Sequence, residues 1–596
     1  MLPSKLCLHT FYTAKMVFLP PSCAGELPAI PDNIPISEFM LNDHHGRNNL
    51  QDSRDPFTCG ITGKSYSWPQ VAERVEYLAR AFAKEFNWAP NKGTEWDKAV
   101  TVFSVNTIDT ISVCWATHQL GGMVSPANAA YSAPELKYQL LDSQAKVLFT
   151  CVPLLSTALE AASLAGFPKD RIYLLEVPTQ LTGDTRVPVQ YKTVSQFIEA
   201  GQALPKLEKF HWEAGEGARR IAFLCYSSGT SGLPKGVMIS HKNVIANVLQ
   251  IVAFEKSHRD TLTAPGGRPY TEITLGLLPQ SHIYALVVMC HLGPYRGDQV
   301  IVLPKFELES YLTAIQTFKI VCLFVVPPII ITMLRNHDIC SKYDLSSVKS
   351  LYTGAAPLGM ETAEDYQNKY PHTTVRQGYG LTETCTVVSS THSNDVLLGS
   401  SGVLIPGVKV RLVSTDGKEI TSYDTPGEIM VQSPSVVLGY HNNEKANKET
   451  FENGWMRTGD EAIIHLSPKN TEHLFIVDRI KELIKVKGLQ VAPAELEAHL
   501  LTHPAVADCA VIAIPDEAAG EVPKALVVKS ASVEKDDERT IQSIKTYVEE
   551  HKARHKWLRG GIRFVDVIPK SPSGKLLRRV LRDQEKELRR CAGAKL

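Results

Sequence analysis

The residues best equipped for chemistry in this 596-residue chain lie at positions 226–236, in the string YSSGTSGLPKG. Ser227, Ser228, Gly229, Thr230, Ser231 and Gly232 make a loop rich in backbone N–H groups and hydroxyls, and Lys235 adds a positive charge. Such a loop can wrap phosphate oxygens, because glycine lets the backbone turn its amides inward. An apolar strand-like run precedes it at 221–225 and a second follows at 237–239. It is not a Walker loop, in which Gly-Lys-Ser/Thr opens a helix; here Lys235 is followed by Gly236 and a strand. A generic Gly/Ser loop is usually a mobile surface turn, and it is the full eleven-residue string that makes this one specific.

Six further strings are spaced along the chain: LPQSHIY at 278–284, GAAPL at 354–358, QGYGLTE at 377–383, WMRTGD at 455–460, DRIKELIKVKG at 478–488 and PKSPSGK at 569–575. Taken one at a time, each polar residue in them has an ordinary explanation. Glu383 would be a solvated carboxylate or a helix cap, Tyr379 a boundary aromatic and Asp460 a turn residue. Arg479 would be a surface ion pair, Lys575 a solvated lysine on a Pro/Ser/Gly turn, and His282 a satisfied core histidine.

Together and in this order, the strings resemble the adenylate-forming superfamily of acyl-CoA synthetases, 4-coumarate:CoA ligases, firefly luciferase and peptide-synthetase adenylation domains. The resemblance covers roughly residues 50–590 and is nearest to the 4-coumarate:CoA ligase-like branch. It implies that an acid carboxylate attacks the α-phosphorus of ATP, a step that needs charge neutralisation more than a protein nucleophile. Thr382 then meets a phosphate oxygen and Glu383 holds Mg²⁺ as a hard oxygen ligand. Tyr379 with Gly354, Ala355 and Ala356 forms the adenine slot, and Gln377, Gly378 and Gly380 are further cofactor-binding residues. Asp460 accepts the ribose hydroxyls, since a carboxylate offers two acceptor oxygens to a diol. Arg479 contacts ribose or phosphate, and Lys575 bridges the acyl carboxylate and the α-phosphate.

By the same resemblance residues 478–488 are a hinge pivoting at Lys481, about which the small domain rotates after adenylation. Lys487 and Gly488 line the pantetheine path, and Gln490 matches a cofactor-binding glutamine of the coumarate-ligase pattern. His282 takes a positioning role beside the acyl carboxylate. Tyr284, the 325–329 segment, Gly354, Gly378 and Gly380 border the acyl pocket. No charged residue falls in those pocket segments, which favours an apolar aryl or aliphatic tail. The run TCTVV at 384–388 replaces an Ala-Gly-Pro run frequent in coumarate ligases and argues against coumarate as the acid.

The elements that must position these residues are of two kinds. Up to about residue 400, strand and helix patterns alternate: strands at 100–104, 146–150, 222–225, 274–278, 321–326 and 350–353, helices at 109–120 and after Pro134. Val71, Val75, Leu78 and Phe82 mark one apolar helix face, with Ser67 and Gln70 as a capping pair. That alternation predicts parallel sheets covered by helices. Beyond 400, short strands at 408–413, 428–431 and 474–477 are broken by turns such as Asp416-Gly417. A helix at 494–501 and strands at 507–514 and 524–529 follow. The expected fold is α/β: two parallel-type α/β subdomains plus a small β-barrel-like subdomain, then a small mobile α+β domain. The expected boundaries are a lead-in at 1–45, an AMP-binding adenylation domain at 46–477, the hinge at 478–488 and the C-terminal domain at 489–596. The first 25 residues read as a flexible lead-in rather than a signal peptide, with Met16 as a second candidate start.

Composition narrows the partners. Sixty-three basic and sixty-three acidic residues give no net charge, which excludes a polyanion coat and argues against nucleic acid. The twelve cysteines include no CxxC pair, so neither a zinc site nor a redox motif is expected and a reducing compartment fits. The longest uncharged apolar stretch, 320–334, is too short to span a bilayer. Residues 569–596 carry nine basic and three acidic residues and end in Ala594-Lys595-Leu596, close to the Ser-Lys-Leu peroxisomal address, so a peroxisomal import receptor is an expected partner. The leading expectation is an acid–CoA ligase using ATP, Mg²⁺ and CoA on a small carboxylic acid. An enzyme loading a separate carrier protein, a luciferase-like oxygenase and a non-catalytic binder are the alternatives. The last is disfavoured because Glu383, Asp460, Arg479 and Lys575 are all present.

Overall fold

The computed structural model of the protein describes residues 16–183, 188–227, 234–414, 416–530, 536–571 and 574–593. The Ser67–Gln70 pair starts a helix, as its spacing predicts: the Ser67 N–H donates to Gln70 Oε1 at 2.9 Å at the head of Trp68–Phe86. That helix buries Val71, Val75, Leu78 and Phe82 and stops at Asn87, which takes the left-handed conformation at φ 56°. The other alternating patterns become a seven-stranded sheet ordered Gly439–Tyr440, Lys235–Ser240, Ile221–Ser227, Val124–Ala127, Val100–Phe103, Val147–Thr150 and Ile172–Leu174. Its last five strands are parallel; the Lys235–Ser240 strand returns antiparallel to Ile221–Ser227, and Gly439–Tyr440 runs antiparallel to it.

A nine-stranded sheet forms the second layer system. Its parallel centre runs Thr374–Tyr379, Ser350–Thr353, Cys322–Val325, Ile273–Gly276, Gln299–Val302 and Phe57–Cys59. One apolar cluster joins both sheets, from Val100 and Phe223 to Leu323 and Leu351. Beyond residue 400 six strands form an antiparallel sheet built on the long strand Trp455–Leu466 and its partner Glu472–Arg479. The last domain has a five-stranded sheet and its own core, including Ile484, Leu496, Val511, Leu526 and Leu581. A separate core is what lets a domain move as a unit.

The structure corrects the reading of the lead-in. Over residues 16–45 the chain is packed: Phe18 exchanges both backbone hydrogen bonds with Val410, at 2.9 and 3.1 Å, and is 1% exposed. The helix Ile36–Leu41 is fixed by Ile36 N–H donating to His241 Nδ1 at 3.1 Å and by Phe39 stacking on Tyr295 at 4.6 Å. These apolar side chains are too widely spaced to form a periodic pattern of their own, and they find partners only on distant segments. Among the described residues the cysteines are free, and no helix is long and apolar enough to cross a membrane. Ala594-Lys595-Leu596 lies outside the described residues.

Candidate active site

The two stems of the phosphate loop are a β-ladder that ends with Ser227 opposite Lys235. Ser228, Gly229, Thr230, Ser231 and Gly232 lie outside the described residues. Both stems are held by the helix Ala133–Asp142: Tyr226 donates its hydroxyl to Asp142 Oδ2 at 2.6 Å, and Tyr138 donates to the Pro234 carbonyl at 3.0 Å. Lys235 places its ammonium 4.5 Å over the Tyr440 ring, a cation–π contact.

Glu383 stands on the short turn Thr382–Thr384 that follows the strand Thr374–Tyr379. The turn closes because Cys385 adopts φ 53° and because Gly380 has no side chain; a Cβ there would lie 1.4 Å from the Thr386 carbonyl oxygen. Ser227 Oγ donates to Glu383 Oε1 at 3.2 Å and Tyr440 donates to the same oxygen at 2.9 Å. Burial and this carboxylate together push the Tyr440 phenol well above its ordinary pKa, so it stays a donor. Glu383 Oε2 has no protein partner among the described residues. Thr386 then donates to the Ile283 carbonyl at 3.0 Å, tying the turn to the segment that carries His282 and Tyr284. Directly after Tyr284 the chain winds as a buried π-helix, Ala285–Leu292, a form that recurs at functional sites.

On the opposite wall Asp460 and Arg479 are cross-strand neighbours on Trp455–Leu466 and Glu472–Arg479, with Arg479 Nε 3.6 Å from Asp460 Oδ1. Tyr379 donates its hydroxyl to Asp460 Oδ2 at 2.8 Å. Burial raises the Asp460 carboxyl above its ordinary range, while Arg479 and the tyrosine hydrogen bond oppose that rise. Tyr379 therefore orients the carboxylate as well as bordering the slot. Gly354 lies between Gly378 and Tyr284: a Cβ there would meet Gly378 O and Tyr284 Cε1 at 3.5 Å, ordinary contact distance. Ala355 follows in the left-handed region at φ 68°, beside Ala356.

Lys575 reaches this cleft from the last domain. Its turn is closed by Lys575 N–H donating to Ser571 Oγ at 3.2 Å and by a bridge between Lys570 and Leu576. Burial pushes its ammonium down to about 8, and neighbouring Arg479 adds to the shift, while Asp460, Glu383 and Glu482 counter it. His282 is pushed down to about 4 by burial and by Lys575, so at neutral pH it is an uncharged ring. Its Nδ1 accepts from the Tyr284 N–H at 3.3 Å. The lysine, the histidine, the glutamate and the Asp460–Arg479 pair thus share one electrostatic neighbourhood.

Two groups of expected binding residues lie elsewhere. Gln377 is a strut: it accepts from the Leu358 N–H and donates to Ser401 Oγ, both at 3.3 Å, and is 8% exposed. Its amide ties Leu358, at the end of the 354–358 loop, to Ser401. Lys487, Gly488 and Gln490 sit on an exposed hairpin between Ile484–Val486 and Leu489–Val491, whose tight turn places Lys487 and Gly488 at φ 51° and 82°. No described hydrogen bond or ion pair ties this hairpin to the cleft. Lys481 is exposed in the turn after Arg479. Tyr440, Asp142, Tyr138 and Thr386 escaped the sequence reading, since each acts through a partner far away in the chain.

The loop stem of Ser227 and Lys235, the Glu383 carboxylate, the Asp460–Arg479 pair and a lysine delivered by a second domain gather in an arrangement that suits a nucleotide-activating class of protein. The AMP-binding enzyme family profile matches residues 47–441, and that of the AMP-binding enzyme C-terminal domain matches residues 495–575. The acyl-CoA ligase easD of Emericella nidulans is 39% identical over 571 residues, covering 95% of this chain and all of that one. The acyl-CoA ligase gloD of Glarea lozoyensis is 39% identical, covering 96% and 99%. The fold matches the anthranilate CoA ligase AuaEII in complex with anthranoyl-AMP, with TM-score 0.77, 22% identity and 93% and 98% of the two chains covered. The chain belongs to the AMP-binding enzyme family of the adenylate-forming superfamily. It is an AMP-forming acid–thiol ligase.

Proposed function

We propose that the protein couples a carboxylic acid with an aryl or fatty/polyketide-type tail to CoA through an acyl-adenylate. The observation that carries this reading is Lys575, delivered by the last domain into the neighbourhood of Asp460, Arg479 and Glu383. A carboxylate oxygen of the acid attacks the α-phosphorus of ATP, the bond to the β-phosphate bridging oxygen breaks, and pyrophosphate leaves. Lys575 neutralises the charge gathering on the attacking carboxylate and the α-phosphate. Asp460 receives the ribose diol, and Tyr379 and Gly354 border the adenine slot. The CoA sulfur then attacks the acyl carbon and AMP departs with the bonding pair.

Glu383 fits a divalent cation of the Mg²⁺ kind. It is a hard oxygen donor beside the Ser227–Lys235 stem, and among the described residues its Oε2 has no protein partner. Among the described residues no cluster of three or more His, Cys, Asp or Glu gathers to cage a metal, which suits an ion held chiefly by substrate phosphates and water. Mg²⁺ there would neutralise phosphate charge.

The aromatic packing around Tyr284, which borders the expected acid pocket, supports a flat or apolar tail. Tyr284 meets Phe324 edge-on at 6.3 Å, and Phe324 stacks on Tyr352 at 5.6 Å. Tyr352 is itself held by hydrogen bonds to Glu255 and Arg376, so its polar atom is already satisfied. Acid-dependent exchange of pyrophosphate into ATP, over a panel of aryl and fatty acids and followed by CoA, tests the reading. Exchange followed by thioester formation is expected. Exchange without thioester would transfer the product to a carrier protein or an oxygenase, and no exchange with any acid would refute adenylation.

A further inference from the structure

We propose that the helix Pro327–Arg335 is the rail on which the last domain docks for adenylation, and that Arg335 is a positioning residue for Lys575. The helix meets the last domain at both of its ends. At its start, Gly574, the residue before Lys575, lies against it: a Cβ on Gly574 would sit 3.0 Å from Val326 Cγ2 and 3.6 Å from Pro328 Cδ. Gly574 also takes φ 81°, so only glycine lets the turn both bend and approach this closely. At its end, Arg335 Nη2 donates to the Val506 carbonyl at 2.7 Å.

That second contact leads back to the lysine. Val506 begins the strand Val506–Asp516, and Asp508 on it lies near enough to attract the Arg335 guanidinium. Asp508 Oδ2 accepts from Lys570 Nζ at 2.6 Å, and Lys570 opens the turn that bridges to Leu576 and carries Lys575. Arg335 therefore holds the strand that anchors one end of the Lys575 turn, while Val326 and Pro328 support the other. The last domain has its own core, so contacts of this kind fix its pose on the rest of the chain. One more is the close approach of Gly359, where a Cβ would stand 2.9 Å from Ala498 Cβ. Because 325–329 also borders the acid pocket, one element touches both the acid and the domain that activates it; this part rests on the acid–CoA ligase reading.

The test separates the two half-reactions. Arg335 is exposed at the edge of the interface, so a hydrogen bond there counts for less than a buried one, and Arg335→Ala is expected to slow acid-dependent ATP–pyrophosphate exchange about fivefold. Thioester formation from supplied acyl-adenylate and CoA is expected to hold its rate, melting temperature to stay put, and Arg335→Lys to recover part of the exchange. Trypsin should cut the hinge at exposed Lys481 faster in the alanine variant under saturating ATP. Equal loss in both half-reactions, or unchanged exchange with unchanged cleavage, overturns the proposal. If the parent protein shows no exchange with any acid while hinge cleavage still accelerates in Arg335→Ala, the ligase reading fails and the docking role stands.

Discussion

Tyr379 and Asp460 are joined by a 2.8 Å hydrogen bond, phenol to carboxylate, across 81 positions of sequence. The tyrosine ends a strand of the parallel sheet and the aspartate lies on the antiparallel sheet, so the bond spans two subdomains. It holds ready one oxygen of the group assigned to the ribose diol. Tyr379→Phe keeps the ring and loses that orientation. A hydrogen bond to a charged group contributes roughly 1.5–3 kcal/mol, part of which the nucleotide itself restores, so KM for ATP is expected to rise about fivefold with kcat little changed. Initial rates over an ATP series check this, and an unaltered KM would remove Tyr379 from the role.

Lys575→Ala is expected to cut the adenylation rate by about 100-fold to 1,000-fold, the scale on which a preorganised charge at a developing anion acts. Thioester formation from supplied acyl-adenylate should survive. Loss of both half-reactions alike would mean the lysine serves the fold or both steps rather than activation.

The pH dependence follows from the same residue. Lys575 is pushed down to about 8 from the 10.5 of an ordinary lysine, and the protonated form is the one that neutralises charge. Adenylation measured as kcat/KM is therefore expected to fall as pH rises through about 8, because that quantity reports the free enzyme. Lys575→Arg carries a group that stays protonated, so its residual activity should lack this alkaline limb. A limb of the same midpoint in the arginine variant would assign the titration elsewhere.

Tyr440→Phe removes one of the two donors to Glu383 Oε1 among the described residues, and the hydroxyl of the ring beneath Lys235. The carboxylate becomes less well oriented, and the Mg²⁺ concentration for half-maximal exchange is expected to rise about threefold, a fraction of one hydrogen bond. A magnesium titration at fixed ATP reads it directly.

Gly380→Ala places a Cβ where the Thr386 carbonyl oxygen stands. The turn bearing Thr382 and Glu383 must open, which is expected to abolish adenylation and to cost about 1–3 kcal/mol, the usual range for overpacking. Thermal unfolding and exchange assays on the same preparation check both parts.

Much of this architecture was legible in the chain. The Ser67–Gln70 cap, the buried strand at Val100–Phe103, the half-buried strand at Ser350–Thr353 and the helix Pro493–Leu501 follow from patterns within a few residues. Capping and apolar periodicity are local, so they survive whatever the rest of the chain does. The packed stretch at 16–45 was not legible, because Phe18 is buried by Val410 and Ile36 by His241. The partners of Gln377 were not legible for a related reason, since its amide is tied to Leu358 and Ser401, 19 and 24 positions away.

The sequence by itself determined which functional groups are present and the order in which they come: the loop at 226–236, Glu383, Asp460, Arg479 and Lys575. Only the tertiary structure decided their partners. Tyr440 reaches Glu383 across 57 positions, and Arg335 reaches the Val506 carbonyl across 171. A hydrogen bond needs its atoms within about 3 Å, and no local pattern encodes a distance between segments that meet only when separate sheets and domains pack.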